Sequence, residues 1–211
     1  MPRGLTSEMT LDTSESEAMF TLSMLRADPN TADLAPLAEG WQALIDPVRT
    51  FDRDFRQLEA DTDAARITAN QYLDSACVKF GDELYLAAGK DRSSSRWTKY
   101  FSGSVTEFVK QALSKQVSVV RGWLSASTDE VLEKHRPALE EWSAKADKAL
   151  VDTEAVAVRR RDVWQQREAL AASLTEQRDS LHRTLGERAK EKGLGRTWPD
   201  NFFRSGSASA S

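Results

Sequence analysis

Residues 137–192 read PALEEWSAKADKALVDTEAVAVRRRDVWQQREALAASLTEQRDSLHRTLGERAKEK, and this stretch decides the fold. Apolar or small residues recur at Leu139, Trp142, Ala146, Ala149, Leu150, Thr153, Val156, Ala157, Val163, Trp164, Leu170, Ala171, Leu174, Leu181 and Leu185. The steps are threes and fours, which puts them on one face of a helix. Neither Gly nor Pro interrupts Ala138 to Leu185. A helix of roughly 55 residues at ~1.5 Å per residue is about 80 Å long. Pro137 suits its first turn, where a missing N–H costs nothing. Gly193, after Arg188, Lys190 and Lys192, predicts a left-handed cap with cations at the negative pole.

Two arginines, Arg160 and Arg167, fall where the spacing wants apolar side chains, and Arg178 sits at the margin. Buried unpaired arginines are expensive. Their stems lie along the groove with the heads reaching solvent or a carboxylate, or they form a polar layer that fixes register or partner, or they hold an anionic ligand.

Upstream, Phe51, Phe55, Leu58, Thr62, Ala65, Ala69, Tyr72 and Ala76 alternate steps of four and three. That heptad pattern predicts a second long helix over about 47–88, opened by an Asp46 cap with Pro47 at its first position and closed by Gly89. Short helices are predicted over 15–26 and 31–45. Ser104-x-x-Glu107 and Ser127-x-x-Glu130 read as capping boxes, the first opening a helix from Ser104 to about Leu124. No β-branched alternation suggests a sheet. The expected fold class is all-α: an elongated antiparallel helical bundle or coiled-coil hairpin, one domain over 15–203. Disordered tails are expected at 1–14 and 204–211.

Composition narrows the function. Of 211 residues, 29% are charged, and the net charge is −4. Residues 1–65 are acidic, with thirteen acids against five bases, and residues 66–136 are mildly basic. Nucleic-acid binding usually needs a basic domain, so no nucleic-acid partner is expected. No run of 18 apolar residues predicts a membrane span, and the N-terminus lacks a signal-peptide core. A cytoplasmic protein is expected. Cys77, the single cysteine, reads as a small core residue.

Motifs for chemistry are sparse. A di-metal bundle wants paired Glu-x-x-His motifs, and neither His135 nor His182 has one. Both histidines read as surface residues. No glycine-rich phosphate loop and no nucleophile signature occurs. No catalytic residue, cofactor, metal or small-molecule substrate is expected.

Two stretches remain. Residues 89–104, GKDRSSSRWTKYFSGS, interleave Arg92, Arg96 and Lys99 with Trp97, Tyr100 and Phe101. They fit packing within the chain or between subunits, an acidic protein partner, or phosphate binding with stacking on nucleic acid or contact with phospholipid. Trp198, Phe202 and Phe203 near the C-terminus either plug the end of the bundle or dock a partner. The leading functional expectation is a non-enzymatic structural protein that self-associates or scaffolds another protein. The alternative is an amphipathic protein coating a membrane, lipid body or polymer inclusion.

Overall fold

The computed structural model describes residues 10–126 and 128–204, and these are all-α, with no strand among them. Six α-helices follow in order: α1 (Leu11–Ala27), α2 (Ala35–Ala87), α3 (Ser95–Thr98), α4 (Val105–Val109), α5 (Leu113–Ala126) and α6 (Glu130–Lys192). Short 3-10 turns occupy Ala32–Leu34 and Trp198–Phe202.

Both long helices are present, and both start earlier than the sequence pattern places them. α2 runs 53 residues straight through Pro47, and α6 runs 63 through Pro137. An interior proline costs about 3 kcal/mol of helix propensity. Around Pro47 that cost is offset by a buried stripe that would be lost at a break: Leu34, Ala38, Trp41 and Ile45. Asp46 is therefore not an N-cap; its carboxylate accepts from Gln42 one turn back. Pro137 sits in the second turn of α6, between buried Leu132 and Leu139. The cap of α6 is Asp129, which accepts from the Val131 N–H at 2.9 Å. The Ser127 capping box lies outside the described residues.

Helix α1 begins at Leu11, capped by the Thr10 hydroxyl, so residues 11–14 are helical rather than part of a tail. The rest of the expected tails, 1–9 and 205–211, lies outside the described residues. The Ser104–Glu107 capping box forms as expected. Its helix stops at Val109, however, because the buried Gln116 amide takes the Val109 and Gln111 carbonyls and replaces the helical ladder there. Both glycine stops are real: Gly89 and Gly193 have φ of 71° and 64°. Lys90 and Leu194 then close six-residue loops onto Tyr85 and Ala189.

The described residues divide into two compact units, 10–56 with 159–204 and, between them, the described residues of 57–158. In each, segments of α2 and α6 pack antiparallel. Asp33 pairs with Arg188 and Asp52 with Arg167 in the first; Tyr72 meets Trp142 and Glu83 meets Lys134 in the second. The first unit closes around Leu25, Trp41, Ile45, Leu170, Leu174, Leu181, Leu185 and Phe202. The second closes around Leu73, Phe80, Leu84, Trp97, Phe101, Trp123, Leu132 and Leu139. Each large side chain fully buried this way contributes roughly 2–3 kcal/mol.

Candidate interaction surface

The basic-aromatic stretch turns its rings inward. Trp97, Tyr100 and Phe101 are buried, and the Trp97 indole N–H donates to the Gly103 carbonyl at 3.1 Å. Phe101 lies within 5.0–5.9 Å, ring centre to ring centre, of Phe80, Trp97, Phe108 and Trp123. The cations cover this cluster. Arg92 stands over Tyr85 at 5.3 Å and Lys99 over Tyr100 at 5.5 Å. Arg96 forks onto Asp129 at 2.8 and 3.0 Å and donates to the Ala87 carbonyl, tying the end of α2 to the start of α6. That pairing holds Asp129 below its ordinary carboxylate range. Thus the acidic neighbour of this stretch is the start of α6, not the acidic first third. A cavity of about 390 Å³ beside the 98–104 turn has Gln111, Lys115 and Trp123 among its walls.

The three arginines that fall in or beside the apolar spacing of α6 have three different surroundings. Arg160 is exposed. Arg167 pairs with Asp52, which is buried at 4% exposure and also takes Arg56 at 2.6 Å. Arg178 is only 3% exposed; it reaches Glu17 at 3.2 Å and lies 5.3 Å from the Phe203 ring centre. Burial pulls the Arg178 guanidinium below its usual range, and Glu17 pulls it back.

The aromatic residues near the C-terminus fold onto the first unit. Phe202 and Phe203 join its core, and the Trp198 indole donates to Asp28 at 3.2 Å. His182 meets Asp200 at 2.9 Å, and the half-buried His135 lies 3.3 Å from Glu83 and edge-on to Phe80. His135 is therefore not the surface residue its pattern suggests. No group of three metal-ligating side chains occurs among the described residues. Cys77 is fully buried, its thiol pushed up to about 12 by burial and by neighbouring Asp74.

The face that the heptad pattern did not anticipate is the outer side of the second unit. The pattern expects Leu58, Ala65 and Tyr72 in a covered seam. All three are exposed, Tyr72 at 53%. The reason is that large side chains collect at the other end of this unit, where α3, α4 and α5 lie. From residues 57 to 69 and 149 to 158, the two helices bury only Thr62, Ala69, Ala149 and Val156 against each other. Tyr72 stacks on Trp142 at 4.3 Å with the planes 11° apart, and Lys145 caps Trp142 at 4.1 Å. Next to the stack runs a groove of about 450 Å³, with Ala64, Ala65, Thr68, Ala69 and Ala149 in its walls. Ile67, Val151 and Val158 are also half exposed or more. The sequence carries a signal for this: the residues in the pattern that pair across the two helices are mostly alanines.

The described residues thus define an all-α protein of two helical units, with an open alanine-walled groove on the second. No protein-family model, no curated protein and no solved structure matches the chain. No described helix is long and apolar enough to cross a membrane.

Proposed function

We propose that this chain is a non-enzymatic, cytoplasmic structural protein that self-associates through the outer face of its second unit. The observation that carries the reading is the exposed Tyr72 stacked on the partly buried Trp142 beside an alanine-walled groove. Exposed Leu58 and Tyr72, on helices with so thin a shared core, are the kind of apolar surface that associations cover. The small groove side chains let another helix approach closely, and coiled-coil packing of a second α2–α6 pair would cover the exposed heptad positions. Mixed charges at the groove edge, Lys145 with Glu141 and Lys148 with Asp152, favour a protein surface over a lipid or a nucleic acid.

The test is molar mass by light scattering over about a hundredfold concentration range, on the native chain and on Tyr72→Lys. Because Tyr72 is half exposed, the substitution buries no charge in the core, although it removes the stack on Trp142. The native chain is expected to gain mass with concentration and Tyr72→Lys to lose that gain by tenfold or more in affinity, since a charge in an apolar contact is costly. A native chain that stays monomeric throughout refutes self-association. Co-sedimentation of that monomer with vesicles would then favour a surface-coating role.

A further inference from the structure

Two stripes of side chains adjoin in the first unit. On α2, Arg49, Arg53 and Arg56 are spaced by four and three, and on α6 so are Arg160, Trp164 and Arg167. Each trio therefore lies along one side of its helix. Buried Asp52 ties the stripes together, accepting from Arg56 at 2.6 Å and from Arg167. The stripes thus flank one groove. One carboxylate serves two guanidinium groups there, so with Arg167 neutralised the charge of Arg56 is left facing water. Arg53 is 77% exposed and touches its chain neighbour Asp54 at 3.4 Å. Trp164, between the two arginines of its stripe, is 48% exposed. Arg and Trp are the residue types that anchor protein contacts most often.

The first unit also shows what such stripes accept. Helix α1 runs antiparallel to α2: Arg26 meets Glu39, and Asp12 and Glu15, one turn apart, both reach Arg49. Its Glu17 takes Arg178, which continues the α6 stripe from Arg167 by steps of four, three and four. An acidic helix therefore covers one end of the groove. It begins at Leu11, beside Arg49, and past that point Arg53, Arg56, Arg160 and Trp164 are exposed.

We propose that this continuation of the groove docks an acidic helix of another protein, laid end to end with α1, with its carboxylates on Arg53, Arg56 and Arg160 and an apolar side chain on Trp164. The chain does not supply that helix. The acids of α1 are engaged on its own arginines, in a second copy as in the first. Residues 1–9 bring Glu8 against Arg3, and residues 205–211 carry no charged side chain. A continuous phosphate backbone fits less well, because Asp52 and Asp54 stand among the arginines. Carboxylates spaced one turn apart meet the guanidinium groups singly, in the forked geometry that arginine favours.

The experiment titrates the full chain by calorimetry with a synthetic helical peptide of about 17 residues, the length of α1. One peptide carries glutamates along a four-three stripe beside leucines, and its twin carries glutamines at the same positions. The glutamate peptide is expected to bind at least about tenfold tighter than the twin, and to weaken as salt rises from about 50 to about 300 mM. Arg53→Gln and Trp164→Ala, both at exposed positions, are each expected to weaken it about fivefold or more. Arg26→Gln, an exposed cation outside the groove, is expected to change it less than about twofold. Equal binding of the two peptides, or no binding of either, overturns the proposal on the native chain alone, whatever the variants do. So does an Arg26→Gln loss as large as that of Arg53→Gln. A thymidylate 20-mer or phosphatidylserine vesicles that bind through Arg53 and Trp164, where the glutamate peptide does not, would also overturn it and give the surface to nucleic acid or lipid. Tyr72 and the second unit enter none of these readings, so they stand or fall apart from self-association.

Discussion

In the second unit, α2 and α6 close around rings: Phe80, Trp97, Phe101, Phe108 and Trp123 touch one another within a single cluster. In the first unit, the same two helices close around leucines and around two arginines that had to be neutralised, Arg167 by Asp52 and Arg178 by Glu17. The rings come almost entirely from a local stretch, residues 80–123. The ion pairs join residues 115 and 161 positions apart. Apolar burial needs no exact partner, whereas a buried charge is stable only with its partner in place. The second core is therefore tolerant of chemistry but not of volume, and the first is the reverse.

The largest expected effect tests volume. Phe101→Ala removes a ring that is 1% exposed and touches four others. It should cost about 4 kcal/mol, read as a shift in the urea midpoint followed by tryptophan fluorescence. Phe101→Leu should recover more than half of that, because the cluster's contribution is mainly area. If leucine fares no better than alanine, ring geometry matters more than volume.

The next test concerns charge in the first unit. Glu17→Ala leaves Arg178 buried without its paired carboxylate, and the Arg178 Nε already has no partner. The expected cost is about 3 kcal/mol by urea unfolding. Arg178→Met keeps the volume and removes the charge, and it should change stability by less than about 1 kcal/mol in either direction. The double variant should then be close to Arg178→Met alone. A methionine variant as damaged as Glu17→Ala would show that the guanidinium is needed for its stacking on Phe203 rather than merely tolerated.

This difference also explains what could be read from the chain. The all-α class, both long helices, both glycine caps and the Ser104 box follow from periodicity and from local capping chemistry, which act over a few residues. The helix starts were missed because a proline is a local signal and Trp41, Ile45, Leu132 and Leu139 override it through packing. The inward rings of residues 97–101 were legible as composition but not as direction, since only the position of α5 decides which side of the turn is covered. Asp52 and Glu17 left no trace in the pattern. Their partners are distant in sequence, and an acid on a long helix looks the same whether water or an arginine faces it. Tyr72 misled for the converse reason: heptad spacing marks a face as apolar without saying that anything covers it.

The smallest effect separates a bridging cation from a decorative one. Arg96 is about a third exposed, so its contacts with Asp129 are weakened by solvent, yet its fork also reaches the Ala87 carbonyl at the end of α2. Lysine keeps the charge but makes one contact where the fork makes three. Arg96→Lys should therefore cost about 1 kcal/mol in urea unfolding. Arg26→Lys, at the exposed pair with Glu39, should cost no more than about 0.3 kcal/mol, because that pair joins two solvated side chains and holds nothing else. High salt should narrow neither difference by much if geometry is the cause, since screening acts on charge and both substitutions conserve it. Equal costs at the two positions would mean that Arg96 acts as a surface charge and that the second unit is held at this end by its rings alone.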